Sequence, residues 1–257
     1  MIHKRLFFDL ETSMTLAWVW RTGKQYVGAH QIVEGTKIIS AHWGWEGSDE
    51  VFNVDWGLKK QCDKKLLKVL IKEMEKADEI IYHNGDRFDL KWVRSRAMFH
   101  GLEMLPSYKS IDTYKIAKSY LNLPSYSLKE ICKYYGLTSK LDSNGAQTWY
   151  DVQFNKSQEA LDHLLYYGDG DITSLKEVFY KFNPYIKRST HYSVLSGGDK
   201  WECPECTSNQ VKVHGNFYTA MGTQQKRMKC KSCGITYKIS MKSFTDYLQW
   251  KIKDNQI

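Results

Sequence analysis

The sequence predicts an α/β domain on a sheet of mixed direction, followed by a small unit organised by four cysteines. Three observations lead there. The apolar run Leu6-Phe7-Phe8 opens a series of β-type segments, some in hairpin order and later ones alternating with helical periods. Two Cys-x-x-Cys pairs, Cys203/Cys206 and Cys230/Cys233, lie 23 residues apart near the C-terminus. Between the two regions sits Ser-Gly-Gly at 196–198, linker chemistry. The expected organisation is an α/β domain over 1–185, a linker over 186–199, and a four-cysteine unit with its C-terminal segment over 200–257.

The first strand ends in Asp9-Leu10-Glu11-Thr12. Lys37–Trp45 reads as a second strand and Glu50–Val54 as its hairpin partner, joined by the turn residues Glu46-Gly47-Ser48-Asp49. Together they predict an antiparallel three-stranded start. Leu66, Leu67, Leu70, Ile71 and Met74 recur at helical spacing, so 63–77 is expected to be a helix, and Asp78–Gly85 a strand after it that ends in a loop. Further helices are expected over 89–100, 112–121, 127–135, 156–167 and 171–182, with Asp112 and Ser127 as N-caps and Asn183-Pro184 as a stop. Phe244–Trp250 reads as a short helix.

Composition narrows the class. With 257 residues, 42% hydrophobic and 14% aromatic, the chain can bury a core, which excludes global disorder. Its net charge of +8 suits a polyanionic partner and equally a plain basic protein, so charge decides little. No stretch approaches the ~18 apolar residues of a membrane span. The start, Met1–Arg5, lacks a signal peptide's apolar region. Cys62 and Cys132 stand alone, and the other four are spaced for a metal rather than for disulfides. A soluble, cytoplasmic protein is expected.

The chemistry sits in the acids. On a strand, side chains alternate faces, so Asp9 and Glu11 point the same way and repel each other. A cation between them explains the pair; a solvated strand end is the alternative. Asp89 follows the loop His83-Asn84-Gly85 at a strand end, where α/β sheets build sites, and would otherwise cap a helix. Tyr167 and Asp171 are at i and i+4 of a helical segment and would share a face, unless they are an edge residue and a cap. Gly168 and Gly170 each cost a helix about 1 kcal/mol. They point to a bend, or to backbone kept bare for a close approach.

In this order and spacing, Asp9-x-Glu11, Asn84 with Phe88-Asp89, and Tyr167-x-x-x-Asp171 resemble the DEDD superfamily of 3′–5′ exonucleases in its tyrosine variant. That family has a ribonuclease H-like fold, and the chain is similar to the proofreading domains of family B DNA polymerases. Ile111-Asp112-Thr113 and Tyr126–Ile131 add to the likeness, which covers about residues 4–182. The resemblance implies that Asp9, Glu11, Asp89 and Asp171 hold two Mg²⁺ or Mn²⁺ ions, hard cations suited to carboxylate oxygens. It implies that Tyr167 orients the attacking water, and that Asn84 and Phe88 contact the terminal nucleotide. The histidine variant does not fit, because position 166 is Tyr, and Asp169 is a poorer fourth acid because Leu165 stands four residues before it.

The paired knuckles Cys203-Pro-Glu-Cys206 and Cys230-Lys-Ser-Cys233-Gly predict a structural Zn²⁺ ribbon. Lys212, Phe217, Tyr218, Lys226, Arg227 and Lys229 between them suit phosphate contact and base stacking, or an ordinary solvated hairpin. The expected function is a metal-dependent exonuclease on nucleic-acid 3′ ends, single-stranded DNA first and RNA as the alternative substrate. A non-catalytic adaptor on a nuclease scaffold is the competing reading. No polymerase region accompanies these motifs, so a proofreading role would need a separate polymerase or other replication or repair protein as partner.

Overall fold

The computed structural model describes residues 3–138, 145–186 and 190–253. The chain divides into two compact units, Lys4–Phe182 and Met1–His3 with Asn183–Ile257.

In the first unit the strands are β1 (Arg5–Thr12), β2 (Leu16–Ala17), β3 (Ile32–Glu34), β4 (Ile38–Trp45), β5 (Val51–Asp55), β6 (Glu79–Tyr82) and β7 (Ser110–Asp112). The helices are α1 (Lys64–Met74), α2 (Asp89–Phe99), α3 (Thr113–Tyr120), α4 (Leu128–Tyr135), α5 (Ala146–Tyr150) and α6 (Gln158–Phe182). The main sheet has the order β5-β4-β1-β6-β7. β5, β4 and β1 are antiparallel neighbours, whereas β6 and β7 run parallel to β1. This is the mixed, helix-flanked sheet of a ribonuclease H-like fold.

Alternation along β1 builds two layers. Leu6, Phe8 and Leu10 are buried against Leu66, Leu67, Leu70 and Met74 of α1 and Val93 and Ala97 of α2. The other face belongs to α6, where Phe7 meets the edge of Phe179 at 5.3 Å between ring centres. Asp9 and Glu11 share the face of Phe7 by the period of two. The acidic pair therefore lies under α6.

Two expectations change. The two helices expected over 156–167 and 171–182 are one, since α6 runs unbroken through Gly168-Asp169-Gly170. Asp112 does cap α3, accepting from the Tyr114 and Lys115 N–H groups, but it also ends a short strand, β7, that its three residues were too few to announce. The segment after α5 forms a π-helical turn over Asp151–Asn155.

The second unit holds α7 (Tyr192–Leu195), β8 (Val211–Tyr218), β9 (Gln224–Cys230), β10 (Thr236–Ser240) and α8 (Met241–Lys253). Its sheet is antiparallel in the order β10-β9-β8. α8 is longer than its sequence announced and lays Tyr247 into a small core with Trp201, Val211, Met228 and Ile239. Among the described residues no helix is long and apolar enough to cross a membrane.

Candidate active site

The site opens where two neighbouring strands part. β6 ends at Tyr82, with its last β1 partner at Phe7, while β1 continues to Thr12. Asp9, Leu10 and Glu11 thus project past β6 into a crevice at the carboxyl end of a parallel pair, the usual place for a ligand. The Leu10 N–H donates to Asp89 Oδ1 at 3.1 Å, so the first residue of α2 takes the place of a strand partner. Asp89 does not cap its helix; Phe88 stands at the cap position.

Asp9, Glu11 and Asp171 each bring a carboxylate oxygen within 4.8 Å of the others. Two like charges at that spacing repel by about 3 kcal/mol at an effective dielectric near 20. Glu11 and Asp171 are buried, which screens them less. Burial, with the Asp112 charge adding to it, pushes the Asp89 carboxyl up to about 7 against the pull of the Leu10 N–H. Such a set of oxygens matches a hard divalent cation, whose charge would cancel the repulsion.

Tyr167 stands one helical turn before Asp171, and both line the same cavity of about 700 Å³ as Asp9, Glu11, Asn84, Phe88 and Asp89. Gly168, one of the two glycines between them, has a concrete reason. A Cβ on Gly168 would fall 2.4 Å from His42 Nε2. His42 is buried, lies opposite Asp9 on β4, and has Nδ1 at 2.8 Å from Asp169 Oδ1 and Nε2 at 2.8 Å from Ser40 Oγ. Asp169 also accepts from Asn53 Nδ2 at 2.8 Å. This network ties α6 to β4 and β5 directly behind the acids and turns Asp169 towards the sheet edge, away from the cavity. Tyr166 is 64% exposed and does not line it. The helical glycines signalled a close approach in the sequence; nothing there named His42 as its cause.

The Gly168 contact has a measurable consequence. Gly168→Ala gains about 1 kcal/mol of helix propensity but forces a buried ring to move. A net loss of about 1–2 kcal/mol is expected in urea unfolding, with strong non-additivity when combined with His42→Ala. An unchanged or raised midpoint in Gly168→Ala would show that α6 does not rest on His42.

The cavity wall is held by backbone bonds. Asp112 accepts the Asn84 N–H at 2.8 Å in addition to capping α3. Asn84 adopts a left-handed φ of 65°, and a Cβ on Gly85 would lie 2.3 Å from the Tyr82 ring. His83 places Nδ1 2.8 Å from Thr113 Oγ1 and donates from Nε2 to the Tyr126 carbonyl at 2.8 Å, fixing the opposite wall. Phe88 is 40% exposed and lines the cavity with an aromatic face. The π-helical turn supplies Gln153, which accepts from the Met14 N–H at 2.9 Å and donates to the Met14 carbonyl at 3.2 Å. It anchors the chain as it leaves Glu11, a role no sequence signal announced.

In the second unit, Cys203, Cys206, Cys230 and Cys233 place their sulfurs within 4.8 Å of one another. The Cys203–Cys233 and Cys206–Cys230 separations are 3.5 and 3.6 Å. Those are far beyond a disulfide and near the ~3.8 Å edge of a tetrahedron with ~2.3 Å metal–sulfur bonds.

Comparison with known proteins agrees with this architecture. A DNA polymerase of Methanocaldococcus jannaschii is 26% identical over 90 residues, an alignment taking in 27% of this chain and 6% of that protein. The structure of the family B DNA polymerase from the hyperthermophilic archaeon Pyrobaculum calidifontis superposes with a TM-score of 0.55 at 13% identity, over 72% of this chain and 25% of that one. The likeness is one of fold, and this chain spans only a quarter of that polymerase. Residues 6–183 match the family described as the RNase_H superfamily. On that match, with the mixed sheet and its acidic crevice, the chain belongs to the RNase_H superfamily.

Proposed function

We propose that this protein is a metal-dependent 3′–5′ exonuclease that hydrolyses phosphodiester bonds at nucleic-acid ends, with single-stranded DNA as the preferred substrate. The observation that carries the reading is the convergence of Asp9, Glu11 and Asp171 within 4.8 Å on a cavity that Tyr167, Asp89, Asn84 and Phe88 also line. The acids would hold Mg²⁺ or Mn²⁺, two ions in all with Asp89 as the fourth ligand. Bound there, such ions would supply charge for the developing oxyanions and acidify a water.

The chain's own groups do the positioning. Tyr167 offers a phenol hydroxyl, a group that can both donate to and accept from a water and so position it. Phe88 offers a ring for the terminal base and Asn84 a polar side chain from a backbone locked by Asp112. A cavity of about 700 Å³ has room for a terminal nucleotide, which must leave any duplex to enter. The four cysteines would hold a structural Zn²⁺. A polymerase or another replication or repair protein is the natural partner of such an activity.

The test uses single-stranded DNA and RNA labelled at either end, with added Mg²⁺ or Mn²⁺ and without. Stepwise shortening from the 3′ end, faster on DNA and dependent on metal, is the expected outcome. Binding without any shortening in either metal would replace the enzyme by a non-catalytic adaptor.

A further inference from the structure

We propose that the outer face of the second unit's sheet is a binding surface for the phosphate backbone of a nucleic-acid strand. The register assigns that face. Met228, Cys230 and Ile239 point to the core with Tyr247 of α8, so the alternate residues point out. The outward rows are Lys212-Lys229-Thr236 and Gly215-Arg227-Lys238, followed by Phe217-Gln225-Ser240. Lys212 is therefore directly opposite Lys229, and Arg227 directly opposite Lys238.

Like charges placed opposite each other across antiparallel strands destabilise a sheet. Here two such pairs adjoin. From Thr207 to Thr245 the sequence has no Asp or Glu but seven Lys and Arg. Among the described residues none of the four outward cations has an ion-pair partner. A surface that retains this repulsion is shaped for a polyanion.

Two more features fit a strand of nucleic acid over an acidic protein segment. Lys238 Nζ lies 3.4 Å from the centre of the Phe217 ring, so cations and an aromatic face alternate on one surface, the combination that tracks phosphates and stacks bases. Beside Arg227 and Lys238 a cleft of about 690 Å³ opens towards His191 and Pro204, and its lining contains no carboxylate. The surface adds a second hold to the active-site reading and does not depend on cleavage there.

The experiment measures binding of a fluorescent 20-nucleotide single strand, DNA or RNA, to the full-length chain across a salt series. An Asp9→Ala, Glu11→Ala background stops any cleavage without a chelator. Removing four phosphate contacts by Lys212→Gln, Arg227→Gln, Lys229→Gln and Lys238→Gln should weaken binding at least about tenfold and flatten the log–log salt slope by roughly 2–3. The same charge change at Lys200, Lys242, Lys251 and Lys253 should leave the slope within about one unit. Because the quadruple variant removes repulsion, its melting temperature should not fall, which separates lost binding from lost folding. Equal slopes for the two variants would overturn the proposal. So would a poly-glutamate chain of matched charge that binds as tightly as the oligonucleotide. Absent cleavage by the unaltered protein, with the slope difference intact, would remove the nuclease reading and keep this surface.

Discussion

Replacing Asp9 and Glu11 together by alanine is expected to slow metal-dependent 3′-end cleavage by at least about 10³-fold, because charge stabilisation at the reacting phosphate is the largest contribution such a site makes. Asp171→Asn should do nearly the same, since its carboxylate closes the same 4.8 Å cluster from α6. The telling feature is the sign on stability. Without metal these carboxylates repel, so the double variant should melt at the same temperature as the parent or higher. Added Mn²⁺ should raise the parent's midpoint but not the variant's. A double variant that melts well below the parent would mean that the acids are structural rather than held against their repulsion for a cation. Activity and metal-linked melting read on the same two proteins decide it.

The second large effect concerns the four-cysteine unit. Its core is small, with Trp201, Met228, Ile239 and Tyr247 as main members, and a segment this short does not hold a fold on burial alone. A structural Zn²⁺ contributes on the order of 10 kcal/mol to such units. Cys230→Ser is therefore expected to release the metal and unfold β8–β10, making the residues after Asn183 sensitive to protease while Lys4–Phe182 stays resistant. Elemental analysis should give about one Zn per chain in the parent and none in the variant. Continued resistance of the unit in the metal-free variant would contradict a structural role for the ion.

Much of this site is legible in the sequence because its chemistry is local. Asp9 and Glu11 are two residues apart on a strand, and Tyr167 and Asp171 one helical turn apart, so period alone puts each pair on a face. The two cysteine knuckles are likewise short-range patterns. The supports are long-range and invisible in one dimension. His42 reaches Asp169 across 127 residues, Gln153 reaches Met14 across 139, and Asp112 joins a loop 28 residues earlier to the helix it caps. Gly168 shows the boundary between the two. Its helix cost is readable from composition, but the ring that demands it is not. The unbroken α6 follows from the same contact, since packing on β1 and β4 overrides the weak propensity of Gly-Asp-Gly. The repulsive pairs Lys212/Lys229 and Arg227/Lys238 also needed the strand register, because the sequence shows only a basic stretch.

The most direct test of the central claim is a crystal structure of the protein grown with Mn²⁺ and a deoxynucleoside 5′-monophosphate, the product of the proposed reaction, with anomalous data collected for the metal. The expected map has manganese held by Asp9, Glu11 and Asp171, the phosphate on the same ions, and the base against Phe88. Anomalous density absent from those three carboxylates at saturating Mn²⁺, in a cavity that still binds the nucleotide, would contradict metal-dependent hydrolysis at this site.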